Sequence, residues 1–194
     1  CDYTHAPGVI AQNQKQVCIN NALRVDLRGQ VCSESAGTRQ ISGTGGQLDW
    51  IRGAQASPGG KAFTCLYSSR TTRDGQRTSN IVPVPELGDM VTVPATDVSY
   101  VVTEFGVVNL KGKTNWQRAK LLISIAHPDF REELFEQARH MGLLTPGRKL
   151  GEALRGVYPA ALEETRVYDG RTVKFRPAPP FSRWAPPRLL CSLW

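Results

Sequence analysis

At 194 residues, 40% hydrophobic and 21% charged, the chain has the size and balance of one globular domain with a tail. It has no apolar run near the roughly 18 residues of a membrane span. Its five scattered cysteines, none in a Cys-x-x-Cys pair and none clustered with His5, His127 or His140, argue against a zinc site or disulfide framework and for a reducing cytoplasmic setting. The net charge of +7 sits mostly in the last quarter: residues 1–143 carry 15 Lys/Arg against 13 Asp/Glu, residues 144–194 carry 9 against 4. With no recognition motif beside it, that excess marks a basic tail and not a nucleic-acid-reading surface. Cys1 stands where Met would, so the chain is expected to be a piece of a longer protein.

Val17, Ile19, Asn21, Leu23, Val25 and Leu27 alternate with Cys18, Asn20, Ala22, Arg24 and Asp26, a period of two that predicts one long strand. Arg28-Gly29-Gln30 supplies a turn, and Val31-Cys32 returns as a hairpin partner. Gly43-Thr44-Gly45-Gly46 then places three glycines in four residues, which lets a backbone approach a ligand unobstructed. A polar, charged and aromatic run from Gln47 to Ala54 follows. Ala62 to Tyr67 predicts a strand introduced by Pro58-Gly59-Gly60, and Arg70 to Thr78 predicts an exposed loop. Ile81–Val84, Met90–Val93 and Tyr100–Thr103 predict short strands, the last leading to a lone carboxylate, Glu104, inside an apolar run.

The period then changes. Thr114 and Gln117 fit a capping box, and Trp116, Ala119, Leu122, Ile123 and Ala126 recur at helical spacing. His127-Pro128 opens a second helix, with Asp129, Glu132 and Glu133 near its positive end. Phe130, Leu134, Ala138 and Met141 form its apolar stripe and Gly142 its stop. Beyond Leu144 the pattern weakens. Lys149–Val157 suits a short helix, and Asp169-Gly170 suits a hairpin turn. Five prolines fall between Pro177 and Pro187. Strands followed by two helices predict a mixed α/β layout.

Four ordered segments carry a resemblance. They are Val9 to Asn13 running through Ile19 to Val31; Gly43 to Ala54; Tyr100 to Val107 with Leu110 to Lys113; and Ile125 to Arg131. Together they resemble the C-terminal domain of the acetyl-CoA hydrolase/transferase family, which includes acetate- and 4-hydroxybutyrate-type CoA-transferases. The resemblance covers residues 1–143 and implies an α/β, CoA-transferase-like mixed sheet flanked by helices, the C-terminal half of a two-domain enzyme. It leaves 144–194 as a basic, Pro-rich tail, where Val167 to Pro177 resembles the opening strand of an N-acetyltransferase-type domain.

The resemblance also implies chemistry. A glutamate attacks an acyl-CoA thioester, and an enzyme glutamyl-CoA thioester follows. That nucleophile lies upstream of this chain in the family, so the chain alone is expected to be inactive and to need the missing N-terminal half. Coenzyme A enters as a substrate, as acyl-CoA, and no cofactor or metal is bound permanently. A short carboxylate is the other substrate. A homo-oligomer is compatible, while nucleic acid and membrane are not implied partners. Gly46, through its backbone N–H, is implied as an oxyanion donor. Gly43, Gly45, Gly46 and Gln47 are implied to line the CoA site, and Glu104 to be a second active-site carboxylate. Ala6 departs from the family, where a polar residue is common.

Plainer readings stand beside these. The glycine loop serves as a tight connection in an arbitrary chain, and Glu104 as a solvated carboxylate. His127 reads as a helix cap, Trp50 and Trp116 as core, Arg52 and Lys61 as exposed cations that could meet CoA phosphates. A non-catalytic CoA-binding or subunit-interaction module is the alternative function. A dinucleotide binder is disfavoured, because the loop lacks Gly-x-Gly-x-x-Gly spacing and no helix is expected directly after it.

Overall fold

The computed structural model describes residues 2–144, 166–168 and 171–173. In chain order the elements are α1 (Pro7–Ile10), β1 (Val17–Asn21), β2 (Arg24–Asp26), β3 (Val31–Cys32), β4 (Ser35–Ala36), β5 (Arg39–Gln40), α2 (Gln47–Ala56), β6 (Lys61–Cys65), β7 (Ser69–Thr71), β8 (Arg77–Ser79), β9 (Ile81–Val82), β10 (Tyr100–Thr103), β11 (Gly106–Asn109), α3 (Asn115–Ser124) and α4 (Pro128–His140), followed by β12 (Arg166–Tyr168) and β13 (Arg171–Val173). The expected mixed α/β architecture is present.

The main sheet has the order β1-β6-β10-β11. Strands β1, β6 and β10 are parallel, and β11 returns antiparallel to β10. Parallel neighbours need a crossover, and α2 provides it between β1 and β6. Its Ile51 and Ala54 are buried with Cys18 of β1 and Ala62 of β6 in one core. Gly53 lets α1 close on α2, since a Cβ there would lie 2.5 Å from the Ile10 Cβ. A second sheet, β3-β2-β9, adds Val25, Val31 and Ile81 to the same core.

The helices close the unit as their sequences predict. At the start of α3, the Thr114 N–H donates to Gln117 Oε1 at 3.0 Å, within a capping box. Leu122 and Ile123 of α3 and Leu134, Phe135 and Ala138 of α4 enter the core. At the end of α4, Gly142 takes φ +68. Its N–H donates to Arg139 O and that of Leu143 donates to Ala138 O, both at 2.9 Å, a Schellman closure that only a left-handed residue completes readily.

Buried Arg118 braces the junction. It donates to the carbonyls of Ala95 (2.6 Å), Lys113 (3.1 Å) and Arg28 (3.3 Å).

Several expectations are corrected. The long strand from Val17 to Leu27 is two strands in two sheets, parted where Ala22 N–H donates to Cys65 O and Leu23 N–H to Cys32 O. Within β1 the inward residue is Cys18, while Val17 and Ile19 are 51% and 65% exposed. The predicted loop at Arg70–Thr78 is largely the β7–β8 hairpin. Met90–Val93 is no strand; it touches a sheet through one bridge, Val31 to Val93. Trp116 faces outward, 46% exposed under the Lys120 ammonium. Only Asp129 lies in the first turn of α4, and Phe135 joins its buried face. The predicted hairpin around Asp169-Gly170 is present as β12–β13. The expected helix at Lys149–Val157 and the Pro177–Pro187 stretch lie outside the described residues.

Candidate functional site

The three parallel strands point their carboxyl ends the same way, and that edge is where open α/β sheets hold ligands. Glu104 stands there, in the two-residue turn joining β10 to β11. Ser68 stands there too, just past β6, fully buried. Ser68 clamps both oxygens of the Glu104 carboxylate. Its N–H donates to Oε2 at 2.9 Å and its hydroxyl to Oε1 at 2.6 Å. The clamp is itself held, since Ser68 O accepts from Asn80 N at 2.8 Å and Asn80 Nδ2 donates to Tyr67 O at 2.9 Å.

The turn is fastened from below. The Thr103 hydroxyl donates to Ile125 O at 2.6 Å and accepts from Phe105 N at 3.1 Å. The Phe105 ring meets the His127 ring edge-on at 5.3 Å, and the Arg131 guanidinium lies 5.6 Å from its centre. His127 caps α4, its Nδ1 accepting from Asp129 N at 3.3 Å. Its Nε2 is 3.2 Å from the Arg77 guanidinium. This is the capping role expected for His127.

The glycine loop reaches the same edge through the crossover. The C-terminal end of α2 is tied to the start of β1 and β6. The Ser57 hydroxyl accepts from Gln16 N at 3.1 Å, and Lys61 N–H donates to Gln16 O at 2.9 Å. Ten helical residues rise about 15 Å, and five strand residues span about 17 Å. Running back along β6, α2 therefore brings its first residue level with the carboxyl ends of the strands. This is the correction to the expectation that no helix follows the loop: Gly46 is the N-cap of α2, and its carbonyl accepts from Trp50 N at 2.9 Å.

The loop has one anchor and several open groups. The Thr44 hydroxyl donates to the carboxylate of buried Glu34 at 2.7 Å. The Glu34 carbonyl accepts from Ile41 N at 2.7 Å and Ser42 N at 3.1 Å. Gly43 and Gly45 are exposed, and a Cβ at either would meet nothing within 4 Å. Gly46 is the tight one. A Cβ there would lie 2.5 Å from His5 Nδ1. Among the described residues, nothing accepts from the amide N–H groups of Gly43, Gly45 or Gly46. The side-chain nitrogen of Gln47 is buried, also without a partner. Amides left open beside a helix N-terminus form a setting for developing negative charge.

Other candidates are placed elsewhere. Arg52 is engaged by Asp97 at 2.9 Å. Lys61 begins β6, at the opposite end of the strand from Ser68 and Glu104. Trp50 is half-buried, packs on the core and meets the His5 ring at 6.1 Å. Burial pushes the Cys18 and Cys65 thiols up, and burial with nearby Asp89 and Asp26 pushes Cys32 up to about 11. None of the three is poised as a thiolate nucleophile at neutral pH. Among the described residues no His/Cys/Asp/Glu group could hold a metal ion, and no helix is long and apolar enough to cross a membrane.

Residues 1–138 match the acetyl-CoA hydrolase/transferase C-terminal domain. The chain belongs to this family. It is 49% identical over 150 residues to a probable butyrate:acetyl-CoA coenzyme A-transferase of Syntrophomonas wolfei, covering 77% of this chain and 33% of that protein. It is 53% identical over 140 residues to a succinyl-CoA:cyclohexane-1-carboxylate CoA transferase of Geobacter metallireducens, covering 72% and 31%. The crystal structure of RipA from Yersinia pestis superimposes with a TM-score of 0.66 at 45% identity, covering 74% of this chain and 31% of that one. The chain thus spans about a third of the length of the relatives it matches.

Two residues of this acetyl-CoA hydrolase/transferase domain escape sequence reasoning. Ser68 sits in a plain Tyr-Ser-Ser stretch, and nothing local announces that it faces a carboxylate 36 residues on. Glu34 lies in the Cys-Ser-Glu-Ser stretch, and only the fold reveals that it is buried and holds Thr44.

Proposed function

We propose that this chain is the C-terminal part of an acyl-CoA:carboxylate CoA-transferase or acetyl-CoA hydrolase, whose nucleophilic glutamate belongs to the portion that this chain does not span. The nucleophile's carboxylate adds to the acyl-CoA carbonyl, the C–S bond breaks, and CoA leaves as thiolate from an acyl-glutamyl anhydride. The thiolate adds to the glutamyl carbonyl of that anhydride, the anhydride C–O bond breaks, and the acyl group departs as free carboxylate. A glutamyl-CoA thioester remains. An acceptor carboxylate then runs the sequence in reverse, giving a new acyl-CoA and the free glutamate. If water adds instead, CoA and the free glutamate result, which is hydrolysis.

Within this scheme the Gly46 N–H stabilises the oxyanion formed at each addition. An amide fixed at a helix N-terminus needs no reorganisation to do so. Gly43, Gly45 and Gln47 border the CoA thioester. Glu104, held by Ser68, orients the carboxylate substrate or the nucleophile, or carries a proton, and its charge raises the pKa of a carboxylate brought beside it. The observation that carries this reading is the convergence of the glycine loop and Glu104 on one sheet edge, in a chain of this family.

The test is Glu104→Gln in a full-length enzyme carrying this domain. A folded protein with turnover reduced at least 100-fold is expected. Unchanged turnover would remove Glu104 from the site. The non-catalytic reading predicts CoA binding without turnover in either version.

A further inference from the structure

Three of the four residues from Gly43 to Gly46 have no side chain with which to hold the loop. Glycine loses more backbone freedom on ordering than any other residue, so an exposed stretch of this kind needs an external hold. Its downstream end has one. Gly46 O accepts from Trp50 N at 2.9 Å, and the His5 ring packs beside the Gly46 α-carbon. The approach to the loop and its middle are both held by a single residue, Glu34. The Glu34 carbonyl accepts from Ile41 N at 2.7 Å and from Ser42 N at 3.1 Å. The Glu34 carboxylate accepts from the Thr44 hydroxyl at 2.7 Å, and Thr44 is the one residue of the four with a side chain.

Glu34 is 4% exposed, whereas Thr44 is exposed. Burying a carboxylate is unfavourable unless it is hydrogen-bonded, and an apolar side chain would fill the same space without that penalty. What the carboxylate supplies is an acceptor facing the loop from a rigid base. Glu34 immediately precedes β4, and the β4–β5 hairpin is pinned from outside. Gly37 N–H donates to Asp89 Oδ1 at 2.6 Å, and the buried Arg24 guanidinium donates to Asp89 Oδ2 at 3.0 Å. The Ser35 hydroxyl accepts from Met90 N at 2.7 Å. Asp89 thus holds the hairpin, the hairpin holds Glu34, and Glu34 holds Thr44.

We propose that Glu34 is a positioning residue for turnover, acting through the Thr44 hydroxyl to keep the Gly46 N–H where the thioester oxyanion forms. The proposal rests on the reading of Gly46 as that donor. Glu34 itself touches no substrate. An oxyanion donor helps only where it is aimed: deleting one lowers the rate by about 10²–10³-fold, and a misplacement of about 1 Å can lower it by about 10²-fold. Thr44 lies two residues before Gly46, so freeing it lets the intervening Gly45 peptide turn and carry the Gly46 amide off its aim.

The experiment is steady-state kinetics on acetyl-CoA with a second carboxylate, in a chimera in which this chain replaces the matching third of the Syntrophomonas wolfei relative. Thr44→Val removes the donor at an exposed position and keeps the side-chain shape. It should lower kcat about 10-fold or more and change the KM for acetyl-CoA by less than about 3-fold, because the oxyanion exists only in the transition state. Thr44→Ser keeps the hydroxyl and should hold kcat within about 2-fold of the parent chimera. Glu34→Ala should lower kcat as Thr44→Val does, and the double variant should be no slower, since the two side chains act as a unit. Hydrogen exchange at the Ile41 and Ser42 amides is followed in this chain alone, where Thr44→Val should speed it about 5-fold or more.

A kcat for Thr44→Val within about 2-fold of an active parent overturns the inference. So does an equal loss in Thr44→Ser, or losses that multiply in the double variant. An inactive parent chimera counts against the proposed function and leaves hydrogen exchange to decide the tether. Faster exchange in Thr44→Val then sustains it, and unchanged exchange overturns it in either case.

Discussion

Removing the Ser68 hydroxyl isolates the contact that fixes Glu104. In Ser68→Ala the backbone amide still donates to Oε2 at 2.9 Å, while the 2.6 Å hydroxyl bond to Oε1 is lost. A hydrogen bond to an ionised acceptor contributes about 1.5–3 kcal/mol. Glu104 is half-buried, so screening by solvent places the loss near the lower end, at about 1.5 kcal/mol. The change deletes one oxygen and leaves no sizeable cavity, so the loss reports the bond. With a urea slope of about 2 kcal/mol per molar, the unfolding midpoint should fall by about 0.7 M. The assay is urea unfolding at pH 7 followed by tryptophan fluorescence. A double-mutant cycle with Glu104→Gln assigns the loss to the pair, and the coupling should be about 1 kcal/mol. Effects that add to within about 0.5 kcal/mol would refute the clamp.

Other consequences follow from the same geometry. Gly46→Ala should cost about 1–2 kcal/mol, as overpacking does, because its Cβ would lie 2.5 Å from the His5 ring. His5→Ala should recover most of it in the same unfolding assay. Arg118→Ala should cost about 3 kcal/mol or more, since it strands three carbonyls that now accept from the guanidinium; a loss under about 1 kcal/mol would show that water replaces it. Burial opposes ionisation of Asp89, but the Gly37 and Glu86 amides and the Arg24 guanidinium outweigh it and hold the carboxyl below its ordinary value. Its contribution is therefore full above the unfolded value of roughly 3.9 and fades as pH falls through the lower folded value. Asp89→Asn should lose stability at pH 7 and flatten the stability profile below roughly pH 4. An unaltered acid profile would contradict this assignment.

Much of this was legible in the sequence because it is local. The capping box at Thr114, the His127-Pro128 helix start and the Gly142 stop depend on neighbours within a few residues, and each formed as its residues predict. The β10 strand and the β2–β3 hairpin were likewise local. The errors arise where a distant partner decides. Alternation from Val17 to Leu27 is continuous, yet β1 pairs with β6 and β2 with β3 and β9, so one sequence pattern serves two sheets. Alternation also leaves open which set of β1 side chains faces the helices; Cys18 does, and Val17 and Ile19 are exposed. For the candidate site, glycine spacing and a lone glutamate were visible. Their approach through a crossover helix, and the Ser68 clamp from another strand, are products of the fold. Sequence carries no local trace of such contacts.

The central claim is that this domain works on acyl-CoA only as part of a longer chain. The most direct measurement is acetyl-CoA turnover, with and without a second carboxylate, by this chain alone and by a chimera in which it replaces the matching third of the Syntrophomonas wolfei relative. Turnover confined to the chimera is predicted, with dependence on the carboxylate marking transfer and independence marking hydrolysis. Turnover by the isolated chain would contradict the account, because the nucleophile would then lie within these 194 residues.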